Sequence, residues 1–291
     1  MKDRIYKPIF IVGCGRSGTT IVNDILSWHK DLAWISNYST KYYTRLATSA
    51  YLCKLYRSKF MQYMLGRRLP KPAEGNILWD WCHPVENSPY DPALAEIDVS
   101  PDAFSRCHKL VSDHIRYSGK KRFINKNTRN SRRIRYLNKI FPDSLFIHIL
   151  RDGRAVVASL LNVRWWKRFK PWFINDRSFE SPAETSPNPE ELATQVWLSE
   201  VAKILDDKKC LDPHRYLEVK YEDFVSNPIL AIRAMCNFCE LEWSPDFEQH
   251  IKSIKITNMN YRYKERLTRE QIQKLNKTIK ELADRLGYDF D

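Results

Sequence analysis

No apolar run in this 291-residue sequence is long enough to cross a bilayer. The first strand-like run begins after only a few polar residues, which leaves no room for a secretory leader, so a cytoplasmic location is expected. Low-complexity tracts and internal repeats are also missing, which argues against a linker-rich or solenoid protein. The seven cysteines are an odd and scattered set, and Cys236 and Cys239 lie inside an apolar helical pattern. They read as reduced thiols, neither a disulfide framework nor a metal site. What is present is the composition of a globular domain, 43% hydrophobic and 29% charged. The length suits one large domain over residues 1–291, with insertions. The net charge of +13 favours anionic partners such as nucleotides, nucleic acid, acidic glycans or anionic lipid surfaces. Thirteen per cent of the residues are aromatic, nine of them Trp, which suits core packing or flat ligand-binding walls.

Short apolar runs bounded by breakers predict strands at "IFIVG" (9–13), "LAWIS" (32–36), "RFIN" (122–125), "LFIHIL" (145–150) and "YLEVKY" (216–221). Helical patterns fall at 18–29, 41–65, 102–118, 128–141, 153–163, 190–208, 228–240 and 268–286. The last of these is predicted to be capped by Thr268 and stopped by Gly287. Such alternation predicts a parallel sheet covered on both faces, with ligands at the carboxyl ends of the strands. Two proline-rich segments, 66–101 and 168–189, break the pattern and read as acceptor or lid-type loops.

The first strand runs into "GCGRSGTT" (13–20). Glycines at 13, 15 and 18 allow a tight turn and a close approach of backbone to a ligand. The helix that follows adds its dipole and its unpaired N–H groups, which suits an anion. The spacing of Gly13 and Gly18 matches the nucleotide-triphosphate loop GxxxxGK[ST], but Thr19 stands where that loop needs lysine. The strand "LFIHILRD" reaches Arg151 where a magnesium-binding Asp would stand. A phosphate-type anion therefore fits, and Mg-ATP does not. A second site follows in "LRDGRAVVASLL" (150–161), where Arg151 and Ser159 suit a second phosphate by forked hydrogen bonds.

Together these motifs resemble the sulfotransferases that use 3′-phosphoadenosine 5′-phosphosulfate (PAPS), with the closer likeness to the bacterial and tyrosylprotein-type branch. "RFINKNTRNSRRIRYLNKIFPDSLFIHILRDGR" and "RYLEVKYEDFVSNP" (215–228) agree in order with that family. The likeness covers most of 8–29 and 122–240 and fades in 30–121 and 164–190. It implies an α/β, three-layer P-loop-type fold with a central parallel sheet of about five strands. It implies Gly15, Arg16, Ser17, Gly18, Thr19 and Thr20 at the 5′-phosphosulfate, Arg151 and Ser159 at the 3′-phosphate, and Tyr221 near the nucleotide. The turn holding Asn260, Arg262 and Lys264 resembles the segment that closes over the nucleotide. PAPS would be the donor and PAP the product, with no metal, because cationic side chains take its place.

The chemistry so implied is sulfuryl transfer to a hydroxyl or amine by in-line displacement at sulfur. Arg16 and Lys126 are the candidates for stabilising the leaving oxygen. The base is not fixed by the resemblance, since "WISNYSTKYY" (34–43) has no carboxylate where the tyrosylprotein-type enzymes carry Glu. Glu86 and His83 are preferred over Asp80 as replacements, and His148, in mid-strand, reads as a core residue. The basic run 120–139 holds nine Lys/Arg and no acid; its charges read mainly as solvated, with Ile134, Leu137, Ile140 and Phe141 buried. The acceptor is open among glycan, lipid, peptide tyrosine and small alcohols, with a glycan or amphipathic molecule favoured. Trp165–Trp166 and Trp79/Trp81 suit either a ligand floor or the core. Two other readings stand beside this one. One is a P-loop nucleotide kinase. The other is a non-catalytic basic protein binding nucleic acid or acidic polymer, although no nucleic-acid motif is present.

Overall fold

The computed structural model describes residues 5–42, 45–83, 93–166, 171, 173 and 188–290. Five strands, β1 (Ile9–Val12), β2 (Leu32–Trp34), β3 (Arg122–Lys126), β4 (Leu145–Leu150) and β5 (Tyr216–Lys220), form one sheet in the order β2-β3-β1-β4-β5. Every pairing is parallel, with Ile9 of β1 opposite Ile124 on one side and Leu145 on the other. The buried, continuously apolar sequence of β1 and β4 suits a parallel sheet, whose faces are both covered. All five predicted strands are present within a residue or two of their predicted ends.

The helices, in chain order, are α1 (Thr19–Ser27), α2 (Asn37–Lys41), α3 (Leu46–Leu52), α4 (Lys59–Leu65), α5 (Asn76–Cys82), α6 (Pro101–Ser118) and α7 (Ile134–Ile140). They continue with α8 (Gly153–Leu161), α9 (Pro189–Asp207), α10 (Tyr221–Ser226), α11 (Pro228–Phe238), α12 (Pro245–Ser253), α13 (Tyr263–Arg266) and α14 (Arg269–Arg285). Side chains of β1 alternate between the two faces, as a strand requires. Ile9 and Ile11 pack with Val22, Ile25 and Phe224, on the side of α1, α11 and α12. Phe10 and Val12 pack with Trp79, Leu110, Phe123 and Leu137, on the side of α5, α6 and α7. A third cluster, built on Val156, Val157, Trp197 and Ile279, joins α8, α9 and α14 beyond the carboxyl end of the sheet. No helix among the described residues is long and apolar enough to cross a membrane.

Three expectations needed correction here. The segment 66–101 is not all loop, because α5 inserts Leu78, Trp79 and Cys82 into the core. The pattern 41–65 is broken into α3, a 3₁₀ turn at Cys53–Arg57, and α4. The basic run is not mainly solvated, since Arg122, Lys126, Arg132 and Arg133 are all buried. Burial is tolerated because partners compensate the charge: Arg122 donates to the Lys7 carbonyl, Lys126 meets Glu74, and Arg132 Nη1 lies 2.7 Å from Glu200 Oε1. Most of 168–189 lies outside the described residues. As predicted, Thr268 caps α14, in a capping box with Gln271, and Gly287 follows its end with φ 68°.

Candidate active site

The chain leaves β1 for β2 and β3 on one side and returns to β4 and β5 on the other. The strand order thus reverses at β1, the position where open parallel sheets hold ligands. The loops after β1, β3 and β4 converge there on a cavity of about 1330 Å³. Small-molecule pockets usually span roughly 300–1,000 Å³, so there is space for a nucleotide and a second substrate together.

The loop 13–18 is shaped by its glycines. A Cβ on Gly13 would lie 2.6 Å from the Ile149 carbonyl oxygen, and one on Gly18 would lie 2.5 Å from the Tyr221 ring. Gly18 also has φ 91°, where a side chain is strained. Ser131, after β3, fastens the loop by accepting from Gly13 N at 2.9 Å and donating to Gly13 O at 3.0 Å. Arg16 is held at φ 74°, a conformation unusual for a residue with a side chain and one that marks functional loops. Helix α1 begins at Gly18 with no side-chain cap and no acid in its first turn, so its N–H groups and dipole remain available to an anion.

The second motif meets the first directly. Arg16 Nε donates to Ser159 Oγ at 3.0 Å, and Arg151 Nη1 donates to the Arg16 carbonyl at 2.9 Å. Arg151 Nε donates to Asn260 Oδ1 at 3.0 Å, and its guanidinium lies 4.1 Å from the Tyr221 ring centroid. Burial lowers the Arg151 pKa, opposed by the nearby Tyr221, Glu222 and Asp152. Asp152 caps α8 and holds Arg154 at 2.7 Å, which fixes Arg154 away from the cavity. Lining cations are Arg16, Lys126, Arg129, Arg132, Arg151, Arg262 and Arg266, against the acids Asp24, Glu74 and Glu200. The excess of positive charge in a concave site focuses potential on anions.

Of the residues singled out in the sequence, Gly15, Arg16, Gly18, Thr19, Thr20, Lys126, Arg151, Ser159 and Tyr221 line this one cavity. Ser17 is buried behind it, its N–H donating to the Cys14 carbonyl at 3.1 Å. Lys264 is exposed on α13 and does not line the cavity; its neighbours Arg262 and Arg266 do, because helical spacing puts them on the other face. His83 is corrected as a base. It is buried against Trp79, hydrogen-bonded at 2.8 Å to the Tyr136 hydroxyl, and burial with the Arg133 charge pushes its pKa down to about 3. Asp80 is paired with Arg129 at 2.6 Å. Glu86 lies outside the described residues. His148 is fully buried in β4 as expected, and of the Trp pairs only Trp165 lines the cavity.

Three carboxylates line the cavity unannounced by the sequence, and one of them, Glu200, is paired with Arg132. Glu74 pairs with Lys126. Its backbone is brought to the end of β2 by the Ser36–Pro72 bridge and by Ala73 N donating to the Ile35 carbonyl at 2.8 Å. Asn127 Nδ2 holds the Glu74 carbonyl at 3.0 Å. Asp24, on α1, has its pKa raised to about 6 by burial, opposed by the Lys126 and Lys71 charges. No motif announces Glu74 or Asp24: Glu74 reaches the site only through long-range pairing, and Asp24 sits in an ordinary helical pattern.

Residues 8–245 match the family model described as "Sulfotransferase family". The omega-hydroxy-beta-dihydromenaquinone-9 sulfotransferase Stf3 of Mycobacterium tuberculosis (strain CDC 1551 / Oshkosh) is 24% identical over 310 aligned residues, covering 97% of this chain and 75% of its own. Among solved structures, sulfotransferase STF9 from Mycobacterium avium aligns over 99% of this chain and 78% of its own, with a TM-score of 0.67 at 15% identity. The sulfotransferase domain of the curacin biosynthetic pathway aligns over 99% of this chain and 100% of its own, with a TM-score of 0.57 at 16% identity. The family match spans most of the chain, and its fold is the α/β architecture seen here: the chain is an enzyme of the sulfotransferase family.

Proposed function

We propose that this single domain transfers a sulfuryl group from PAPS to a hydroxyl of an amphipathic acceptor, with Lys126 and Arg16 stabilising the leaving oxygen and Glu74 taking the acceptor proton. The observation that carries the reading is the direct coupling of two anion sites. Arg16 bonds Ser159, and Arg151 bonds the Arg16 carbonyl, so residues suited to two separate phosphates are set in one frame. A donor with phosphate groups at both ends of a nucleoside fits such a frame, whereas a triphosphate needs the lysine and magnesium ligand that are missing.

PAPS supplies an activated sulfuryl group whose departure leaves negative charge on a phosphate oxygen. The α1 N-terminus, Thr19 and Thr20 hold the 5′ end; Arg151 and Ser159 hold the 3′ end, with Tyr221 packed under Arg151. Arg262 and Arg266 close the site from the C-terminal side. Glu74 occupies the place beside β2 where the sequence has no carboxylate of its own. Its pairing with Lys126 holds it at the cavity wall, within reach of an acceptor proton. Asp24 offers a second reading, because a carboxyl with a pKa of about 6 also suits proton transfer near neutrality. The mycobacterial relative is named for an omega-hydroxy-beta-dihydromenaquinone, which supports an alcohol on an apolar carrier as acceptor.

The test is mass-spectrometric detection of sulfated product from PAPS and a panel of phenols, sugars and long-chain alcohols. Product is expected from the amphipathic alcohols, with turnover reduced roughly 10²–10⁴-fold by Glu74→Gln and under about tenfold by Asp24→Asn. The reverse order would move the base to Asp24. Release of PAP with no member of the panel sulfated would overturn the acceptor class.

A further inference from the structure

The stretch between β2 and α5 carries a surface that the nucleotide site leaves unused. Residues 32–73 contain eight Lys or Arg and not one Asp or Glu. On α4, Phe60, Tyr63 and Met64 are 68%, 87% and 60% exposed. Their spacing of three and four places them on one helix face. Tyr51 on α3 and Tyr42 at the end of α2 are also exposed. Lone exposed apolar residues are ordinary, but a group of large ones on a short segment marks an interaction surface.

Cations stand among these rings. Lys54 Nζ lies 4.7 Å from the Tyr51 ring centroid and Lys41 Nζ 5.3 Å from that of Tyr42. Arg57 and Lys54 lie close enough to Lys120 that their charges join burial in lowering its pKa, with Asp31 opposing. The Tyr38 hydroxyl donates to the Arg68 carbonyl at 2.6 Å, which ties α2 to the turn after α4. The 3₁₀ turn at Cys53–Arg57 joins α3 to α4 and sends Tyr56 into the cavity wall. The surface and the candidate active site thus share one segment.

We propose that α3, the Cys53–Arg57 turn and α4 dock on an anionic lipid bilayer, with Phe60, Tyr63 and Met64 entering the interface and the exposed Lys54 and Arg68 facing the lipid headgroups. Charge without carboxylates complements an anionic surface, and aromatic side chains interleaved with cations are the composition of interfacial helices. A purely acidic polymer would use the cations but leaves Phe60 and Met64 without a role. Docking of this kind presents the Tyr56 side of the cavity to the membrane, where an amphipathic acceptor resides.

The experiment is cosedimentation of the full chain with vesicles of phosphatidylcholine alone and of phosphatidylcholine mixed with phosphatidylglycerol. Binding is expected to the mixed vesicles only and to weaken as salt is added. Phe60→Asp with Tyr63→Asp is expected to lower partitioning by roughly tenfold or more. Lys54→Gln with Arg68→Gln should lower it by roughly fivefold for each charge removed. Circular dichroism melting confirms that each variant is folded, independently of nucleotide binding. A wild-type chain that stays in the supernatant with mixed vesicles overturns the proposal. So does equal binding by wild type and both variants. A dimer that the Phe60/Tyr63 variant turns into a monomer, without vesicle binding, would assign the face to a second copy instead.

Discussion

Arg151 joins several parts of the site. It touches the Arg16 carbonyl, Asn260 and the Tyr221 ring, and its own carbonyl accepts from Trp197 Nε1 at 3.2 Å. Removing the guanidinium takes away charge-assisted bonds worth about 1.5–3 kcal/mol each. Arg151→Ala is therefore expected to weaken PAP binding by roughly 10–100-fold in a calorimetric titration, and Arg151→Lys to recover little, because an ammonium lacks the planar fork that reaches Asn260 and the Arg16 carbonyl while stacking on Tyr221. Gly18→Ala tests the loop geometry. The new methyl would strike the Tyr221 ring at a φ that disfavours side chains, so a loss of about 2 kcal/mol or more is expected in denaturant unfolding. At this scale the sequence is most legible where neighbouring residues form one motif. Arg16, Arg151 and Ser159 stand in short motifs, and the structure puts them in contact. Glu74 was illegible because a bridge between Ser36 and Pro72 places it, and no pattern encodes such a bridge. His83 misled because a histidine in a proline-rich stretch looks solvated, while its partners Trp79 and Tyr136 are set by the packing of α5 against α7.

Among the elements, β1 organises both faces of the sheet. Phe10 is fully buried and its ring meets those of Phe141, Phe146 and Trp79. Phe10→Ala should cost about 3–5 kcal/mol, measured by chemical denaturation, since it removes the centre of one hydrophobic layer. Strands β1 and β4 were legible because parallel, doubly covered strands are nearly continuous apolar runs. The breaks within 41–65 were not legible. Its apolar residues keep a roughly helical period, but Phe60, Tyr63 and Met64 face solvent, so the period reports an outer surface as well as a core. Helix α5 was missed because the prolines on either side hide seven residues of helix.

For the whole molecule, pH and salt act through charge. Burial lowers the pKa of His83 to about 3 and of His114 and His250 to about 4, and it also lowers those of His29 and His148. A histidine kept neutral in the fold titrates near 6.5 when unfolded, so the unfolded chain takes up more protons in acid. Stability is therefore present above about pH 6.5 and lost as pH falls towards 4, by roughly 1.4 kcal/mol per pH unit for each proton. Asp24 acts in the opposite sense: its raised pKa favours the fold below about pH 4 and loses that stability as pH rises through about 6. Several histidines outweigh one aspartate, so melting temperature should drop steadily below pH 6.5; a flat profile would contradict the buried neutral histidines. With a net charge of +13, affinity for a polyanionic donor should also fall with ionic strength.

The central claim is that two coupled cationic sites hold a nucleotide with phosphates at both ends. Thermal stabilisation by PAP, compared with Mg-ATP and repeated on Arg16→Ala and Arg151→Ala, tests it most directly. A PAP shift that Mg-ATP does not reproduce, and that both variants lose, is the predicted result. A shift with Mg-ATP alone, or a PAP shift that survives in both variants, would contradict it.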